Sequence, residues 1–128
     1  MPEYLSQPAG LPAANGYSHA VVFSGRTVAI SGQVPVDSDG VYIERTVEAQ
    51  VRQVFTNLGI ALAAAGTSFE NVVKLNYFVV DMADLPTIRS IRNEFLSPDR
   101  LPASTLVQVV GLVNPAFRVE IDALAVIP

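Results

Sequence analysis

The order of apolar periodicities along the chain predicts an α+β fold, a mixed sheet with two helices packed on one face. Three observations carry this. Short runs of β-branched and aromatic residues stand near both ends and in the middle of the chain. Two intervening stretches switch to apolar spacings of three and four residues, the period of a helix face. Turn residues punctuate the changes.

The elements follow in order. Residues 1–15 are rich in Pro, Ala and Gly and read as an extended lead-in. His19–Phe23 and Thr27–Ser31 are strand-like, and Ser24-Gly25-Arg26 between them is a hairpin-sized turn. Asp37-Ser38-Asp39-Gly40 forms a second turn. From Thr46 to Ala65, Val47, Val51, Val54, Phe55, Leu58 and Leu62 fall on one helical face. Thr46 can cap the start of that helix and Gly66 can take the left-handed conformation that ends it. Alanines at 61 and 63–65 thin its last turns, so it can lie close to a sheet. Val72–Val80 reads as a strand. Asp84 is the expected cap of a second helix, with Pro86 in its first turn and Ile88, Ile91 and Phe95 facing the core. Ser104–Val110 and Arg118–Ile127 complete the order ββαβαββ. In the last strand Val119, Ile121, Ala123, Ala125 and Ile127 share one face, and Arg118, Glu120 and Asp122 begin the other.

Length and composition bound the function. A chain of 128 residues suits one domain, residues 1–128, with a sizeable core. Half of it is hydrophobic and only 16% is charged, which suggests surface hidden in a symmetric oligomer that covers the free face of the sheet. The net charge is −4 and no run of Lys or Arg occurs, which argues against nucleic acid as a partner. The absence of cysteine removes disulfides, thiolate metal sites and a Cys nucleophile together. No apolar run approaches membrane-spanning length and no leader pattern opens the chain, so a cytoplasmic protein is expected. His19, the sole histidine, has no acidic or Cys neighbour in the sequence and reads as a strand-start side chain rather than a metal ligand. No phosphate loop, nucleophile elbow or nucleotide fingerprint is present, so no cofactor and no metal is expected.

One set of blocks is more specific. Leu101-Pro102-Ala103-Ser104-Thr105-Leu106-Val107-Gln108-Val109, followed by Arg118-Val119-Glu120-Ile121-Asp122-Ala123-Leu124-Ala125-Val126, resembles the C-terminal signature of the reactive intermediate deaminase (RidA/YjgF/UK114) family. Gly16-Tyr17-Ser18, Ser31-Gly32-Gln33, Glu48-Ala49-Gln50, Val72-Val73-Lys74 and Asp81-Met82 extend the resemblance over nearly the whole chain, in order and spacing. It implies a chorismate-mutase-like fold and a homotrimer with clefts between neighbouring subunits. It also implies hydrolysis of imines, in which water adds to a C=N bond, ammonia leaves and a keto compound remains.

By that resemblance Glu120 corresponds to the acid that orients the attacking water, and a carboxylate in a semi-apolar cleft can do so. On spacing alone, Glu120 and Asp122 equally fit the polar face of an edge strand. Tyr17 corresponds to a tyrosine that closes the cleft; by itself it reads as an amphipathic plug. Ser31 corresponds to a cleft serine, or bonds local backbone at a strand end. Leu106 stands where many members have cysteine, a position at which the backbone carbonyl shares the water.

The chain departs from the pattern at Ser104. Imine-hydrolysing members carry arginine there, and the bidentate pair it makes with a carboxylate is worth about 1.5–3 kcal/mol. Serine offers one neutral hydrogen bond, or is small strand filler. Arg89 falls where members carry a cleft-facing asparagine and can replace the lost cation; Arg92 lies one turn on, and Arg118 is a weaker candidate near a strand end. Arginines on an amphipathic helix also commonly solvate its outer face. The expected function is therefore a hydrolytic imine/enamine deaminase of altered specificity. The alternative is a trimer that binds a small metabolite without turning it over. A ribonuclease activity, also attached to this family, conflicts with the acidic charge and the lack of basic or stacking patches.

Overall fold

The computed structural model describes residues 2–42 and 46–128. Its elements are β1 (Glu3–Leu5), β2 (Ala20–Val22), β3 (Thr27–Gln33), α1 (Val47–Ala64), β4 (Val72–Val79), α2 (Leu85–Phe95), β5 (Ala103–Gln108) and β6 (Val119–Val126). The last four strands in this order, β3 to β6, form one sheet ordered β3-β6-β4-β5, parallel between β4 and β5 and antiparallel elsewhere. The sheet is mixed because β4 to β5 is a crossover through α2, whereas β6 returns between β3 and β4.

The α+β prediction holds, and the alternation in β4 and β6 shows why. Leu75, Tyr77 and Val79 of β4 and Val119, Ile121, Ala123 and Ala125 of β6 are buried against Val51, Val54, Phe55, Leu58 and Leu62 of α1 and Ile88 and Ile91 of α2. Each of the larger apolar side chains contributes about 1.5–3 kcal/mol by leaving water. Phe55 stacks on Phe95 at 5.1 Å and leans on Phe69 at 6.1 Å, so an aromatic cluster fixes α2 against α1. Thr46 caps α1 as expected, its Oγ1 accepting from the Ala49 N–H at 3.2 Å, and Gly66 follows the helix at φ +86°. Among the terminal alanines only Ala61 packs on the core, while Ala63 and Ala64 are exposed.

Four expectations need correction. The lead-in contains a strand: β1 pairs antiparallel with β2 and is pinned where the Tyr4 hydroxyl donates to the Glu70 carbonyl at 3.0 Å. Three residues are too few to show alternation, so nothing in the sequence pattern marks it. Ser24-Gly25-Arg26 does not close a hairpin, because β2 pairs with β1 while β3 pairs with β6. Asp84 does not cap α2 through its side chain; its carboxylate instead takes the Arg118 guanidinium through two bonds of 2.8 Å. Asp81 serves the turn before the helix, accepting from the Ala83 N–H at 2.9 Å. Finally, β6 is an interior strand and not an edge, so Glu120 and Asp122 stand mid-sheet. Among the described residues no helix is long and apolar enough to cross a membrane.

Candidate functional site

The helix-side end of β5 meets α2 over a cavity of about 250 Å³. Register decides which β5 side chains reach it. Ser104 pairs with Leu75 and Leu106 with Tyr77, both buried beneath the helices, so Ser104 and Leu106 point to the helix side. From α2, Arg89 and Arg92 line the same cavity three residues apart, on one face with Leu85 and Ile88. Asn15 and Tyr17 close it from the segment before β2.

That segment is held in place by backbone. The Ser18 N–H donates to the Pro102 carbonyl at 3.0 Å, and the buried Ser18 hydroxyl donates to the Leu101 carbonyl at 2.5 Å. The chain around Tyr17 is thereby tied to the residues that open β5. His19 braces it, its Nε2 lying 2.6 Å from the Pro12 carbonyl and its ring edge-on to Tyr17 at 5.3 Å. Gly16 has φ +83°, and a Cβ there would collide with the Arg92 guanidinium, so glycine admits the cation to the cavity wall.

The electrostatics of the cavity are those of an anion site. None of its lining side chains is acidic. Among the described residues neither Arg89 nor Arg92 has a carboxylate partner, whereas Arg52 pairs with Glu48 and Glu94 and Arg118 with Asp84 and Asp81. Arg92 is half-buried, and burial, followed by the neighbouring charge of Arg89, holds its guanidinium below its ordinary range. Tyr77 is 3% exposed, and its hydroxyl is buried without a hydrogen-bond partner. Burial pushes that phenol well up, so it is a neutral O–H donor at any ordinary pH.

The predicted residues divide into two groups. Tyr17, Arg89, Ser104 and Leu106 converge on the cavity. Glu120 and Ser31 do not line it. Glu120 pairs with Phe78 and Asp122 with Asn76, all on the face of the sheet turned away from the helices, where the Asn76 amide donates to Asp122 at 2.8 Å. Ser31 is exposed at the bulge between Ile30 and Gln33. Gly32 in the same bulge lies against the Glu120 carboxylate, where any Cβ would collide with it. Arg118 is bound to Asp84 and takes no part in the cavity.

Arg92, offered by the sequence as a second candidate cation one turn beyond Arg89, is in the cavity wall. Two residues of consequence escape sequence reasoning. Tyr77 lies inside a strand pattern that reads simply as core. Gln50, fully buried, bonds through Oε1 to the Arg118 N–H at 2.8 Å and through Nε2 to Tyr42 and the Ala116 carbonyl, each at 3.0 Å. A more open groove of about 540 Å³ along α1, lined in part by Gln33, Asn57 and Ile60, contains none of the predicted site residues. Among the described residues no cluster of His, Cys, Asp or Glu could hold a metal ion.

Known proteins agree with this architecture. The family profile described as Endoribonuclease L-PSP matches residues 8–127. The mouse 2-iminobutanoate/2-iminopropanoate deaminase is 43% identical over 117 residues, 90% of this chain and 84% of that protein. The RutC family protein slr0709 of Synechocystis is 38% identical over 127 residues, 97% of this chain and 96% of its own. Among solved structures, YyfB of Yersinia pestis, titled a protein of unknown function of the conserved Rid family, superposes with a TM-score of 0.89 at 32% identity, covering 98% of each chain.

Proposed function

The chain belongs to the RidA/YjgF family, and from that premise we propose that it is a hydrolytic imine/enamine deaminase, assembled as a cytoplasmic homotrimer, whose substrate anchor has moved from β5 to α2. One observation carries the reading: Arg89, a cation without a carboxylate partner among the described residues, lines the same cavity as Ser104, the position at which the family's arginine is missing. A carboxylate that loses its fork at 104 can be gripped from the facing helix instead.

The chemistry divides between faces of the sheet. The imine lies in the cavity with its anion on Arg89, the Tyr17 hydroxyl against the ligand, and Ser104 offering one further hydrogen bond. Water, held by the Leu106 carbonyl and a glutamate, adds to the imine carbon. The nitrogen takes a proton, the C–N bond breaks, and ammonia leaves a ketone behind. Within one protomer Glu120 stands on the opposite face from the cavity. In a ring of three, the Glu120 face of one subunit closes the cavity of its neighbour, so the acid arrives with assembly. The exposed Val22, Phe23 and Val107 are the apolar surface such an assembly covers.

The cavity's lack of any acidic side chain favours a second reading, a metabolite-binding trimer without turnover. A deaminase assay separates the two, with imines generated in situ by an amino-acid oxidase. Turnover by the wild type that disappears in Glu120→Ala supports hydrolysis. Turnover that survives Glu120→Ala sinks the assignment of the acid. A silent wild type rescued by Ser104→Arg means an intact water site whose own ligand is of another class. Silence in both hands the reading to the binding trimer.

A further inference from the structure

Arg92 has no role in the reaction just described, yet it is the more enclosed of the two cavity arginines. Its guanidinium packs against Gly16, and Asn93 Oδ1 accepts from its Nε at 3.3 Å and its Nη2 at 3.1 Å, which fixes the plane of the guanidinium and leaves Nη1 without a hydrogen-bond partner among the described residues. The Tyr77 hydroxyl is buried and unpartnered, and Tyr77 lines the same cavity. Two guanidinium groups facing one small cavity repel one another, and the partly desolvated one gains most from a bound anion. A single carboxylate satisfies one fork and leaves the second cation and the phenol unanswered.

We infer that Arg92 and the Tyr77 hydroxyl form a second anchor beside Arg89, and that the ligand is a dicarboxylic 2-imino acid with one carboxylate on each arginine. This rests on the imine reading for the reaction but not for the binding. Hydrolysis conserves both carboxylates, so the product is a 2-keto dicarboxylate plus ammonia, and that product carries the same two recognition groups as the substrate. The site therefore suits imines formed by two-electron oxidation of acidic amino acids, or by loss of water from their β-hydroxylated forms, rather than those of alanine-like ones.

The test is calorimetric titration of the assembled protein with 2-oxoglutarate, oxaloacetate, pyruvate and inorganic phosphate. The second charge-assisted contact predicts dicarboxylates binding about ten- to a hundredfold more tightly than pyruvate. Arg92→Met is expected to bring that ratio close to unity, and Tyr77→Phe to lower it several-fold in a protein that is folded by circular dichroism. Arg89→Met, altering an exposed side chain, is expected to weaken every keto acid. Equal affinities for pyruvate and the dicarboxylates overturn the inference, as does a preference that survives both Arg92→Met and Tyr77→Phe. Phosphate binding as tight as 2-oxoglutarate also overturns it, in favour of a phosphorylated ligand. Because Glu120→Ala is expected to keep the dicarboxylate preference, loss of hydrolysis and loss of this anchor are told apart.

Discussion

At the scale of single residues, Tyr77 shows a conflict between stability and binding. An unpaired buried hydroxyl costs about 1–3 kcal/mol, because it leaves water and gains no partner. Tyr77→Phe removes the cost and keeps the ring within the aromatic cluster, 6.5 Å from Phe55. Urea denaturation should show the variant more stable by about 1 kcal/mol at neutral pH, with ligand affinity lowered. The same residue gives a pH signature. Burial raises the phenol above its ordinary value of 10.0, so above that pH an unfolded chain releases a proton that the folded chain keeps. The folded state then binds more protons and stability falls as pH rises past 10, whereas below it the contribution is complete. The alkaline loss should be shallower in Tyr77→Phe; equal slopes would mean the phenol is not confined as described.

At the scale of elements, Gln50 joins α1 to the loop that delivers β6. Its amide satisfies the Arg118 N–H and the Ala116 carbonyl, so Gln50→Ala strands two backbone groups and opens a void. A loss of about 3 kcal/mol is expected in a urea titration, far above that for an exposed helix glutamine. Elements also differ in how far their sequences betray them. Period alone locates α1, α2, β4 and β6, and with them the capping by Thr46, because each is long enough to repeat its pattern. Alternation in β6 also sets Glu120 opposite the core face. Pairing is not legible: β1 has three residues, and no local pattern says that β2 will join it rather than β3. Nor can spacing say that Ser104 faces the helices, since that depends on its parallel register with Leu75. Arg89 and Arg92 are visible as neighbours on a helix, but only the packing of α2 over β5 makes them walls of one cavity.

At the scale of the whole molecule, the division of the site between sheet faces has a consequence that symmetry makes quantitative. Suppose each cavity receives Glu120 from the adjoining subunit of a three-membered ring. A chain with Glu120→Ala keeps a sound cavity, and a chain with Arg89→Met keeps a sound glutamate; each alone forms only dead sites. The two are unfolded together and reassembled in equal amounts. A working site then arises wherever the cavity of a Glu120→Ala chain meets the acid of an Arg89→Met chain. Random mixing makes about a quarter of the sites whole, so about a quarter of wild-type deaminase activity is expected to return from two inactive parents. If Glu120 served the cavity of its own chain, no mixture could pair a sound acid with a sound cavity, and activity would stay at the parental floor. Val107→Asp, placing a charge on the exposed open face, supplies the companion measurement. Sedimentation should show it dissociated, and a monomer that binds keto acids without hydrolysing imines is the state the split site requires.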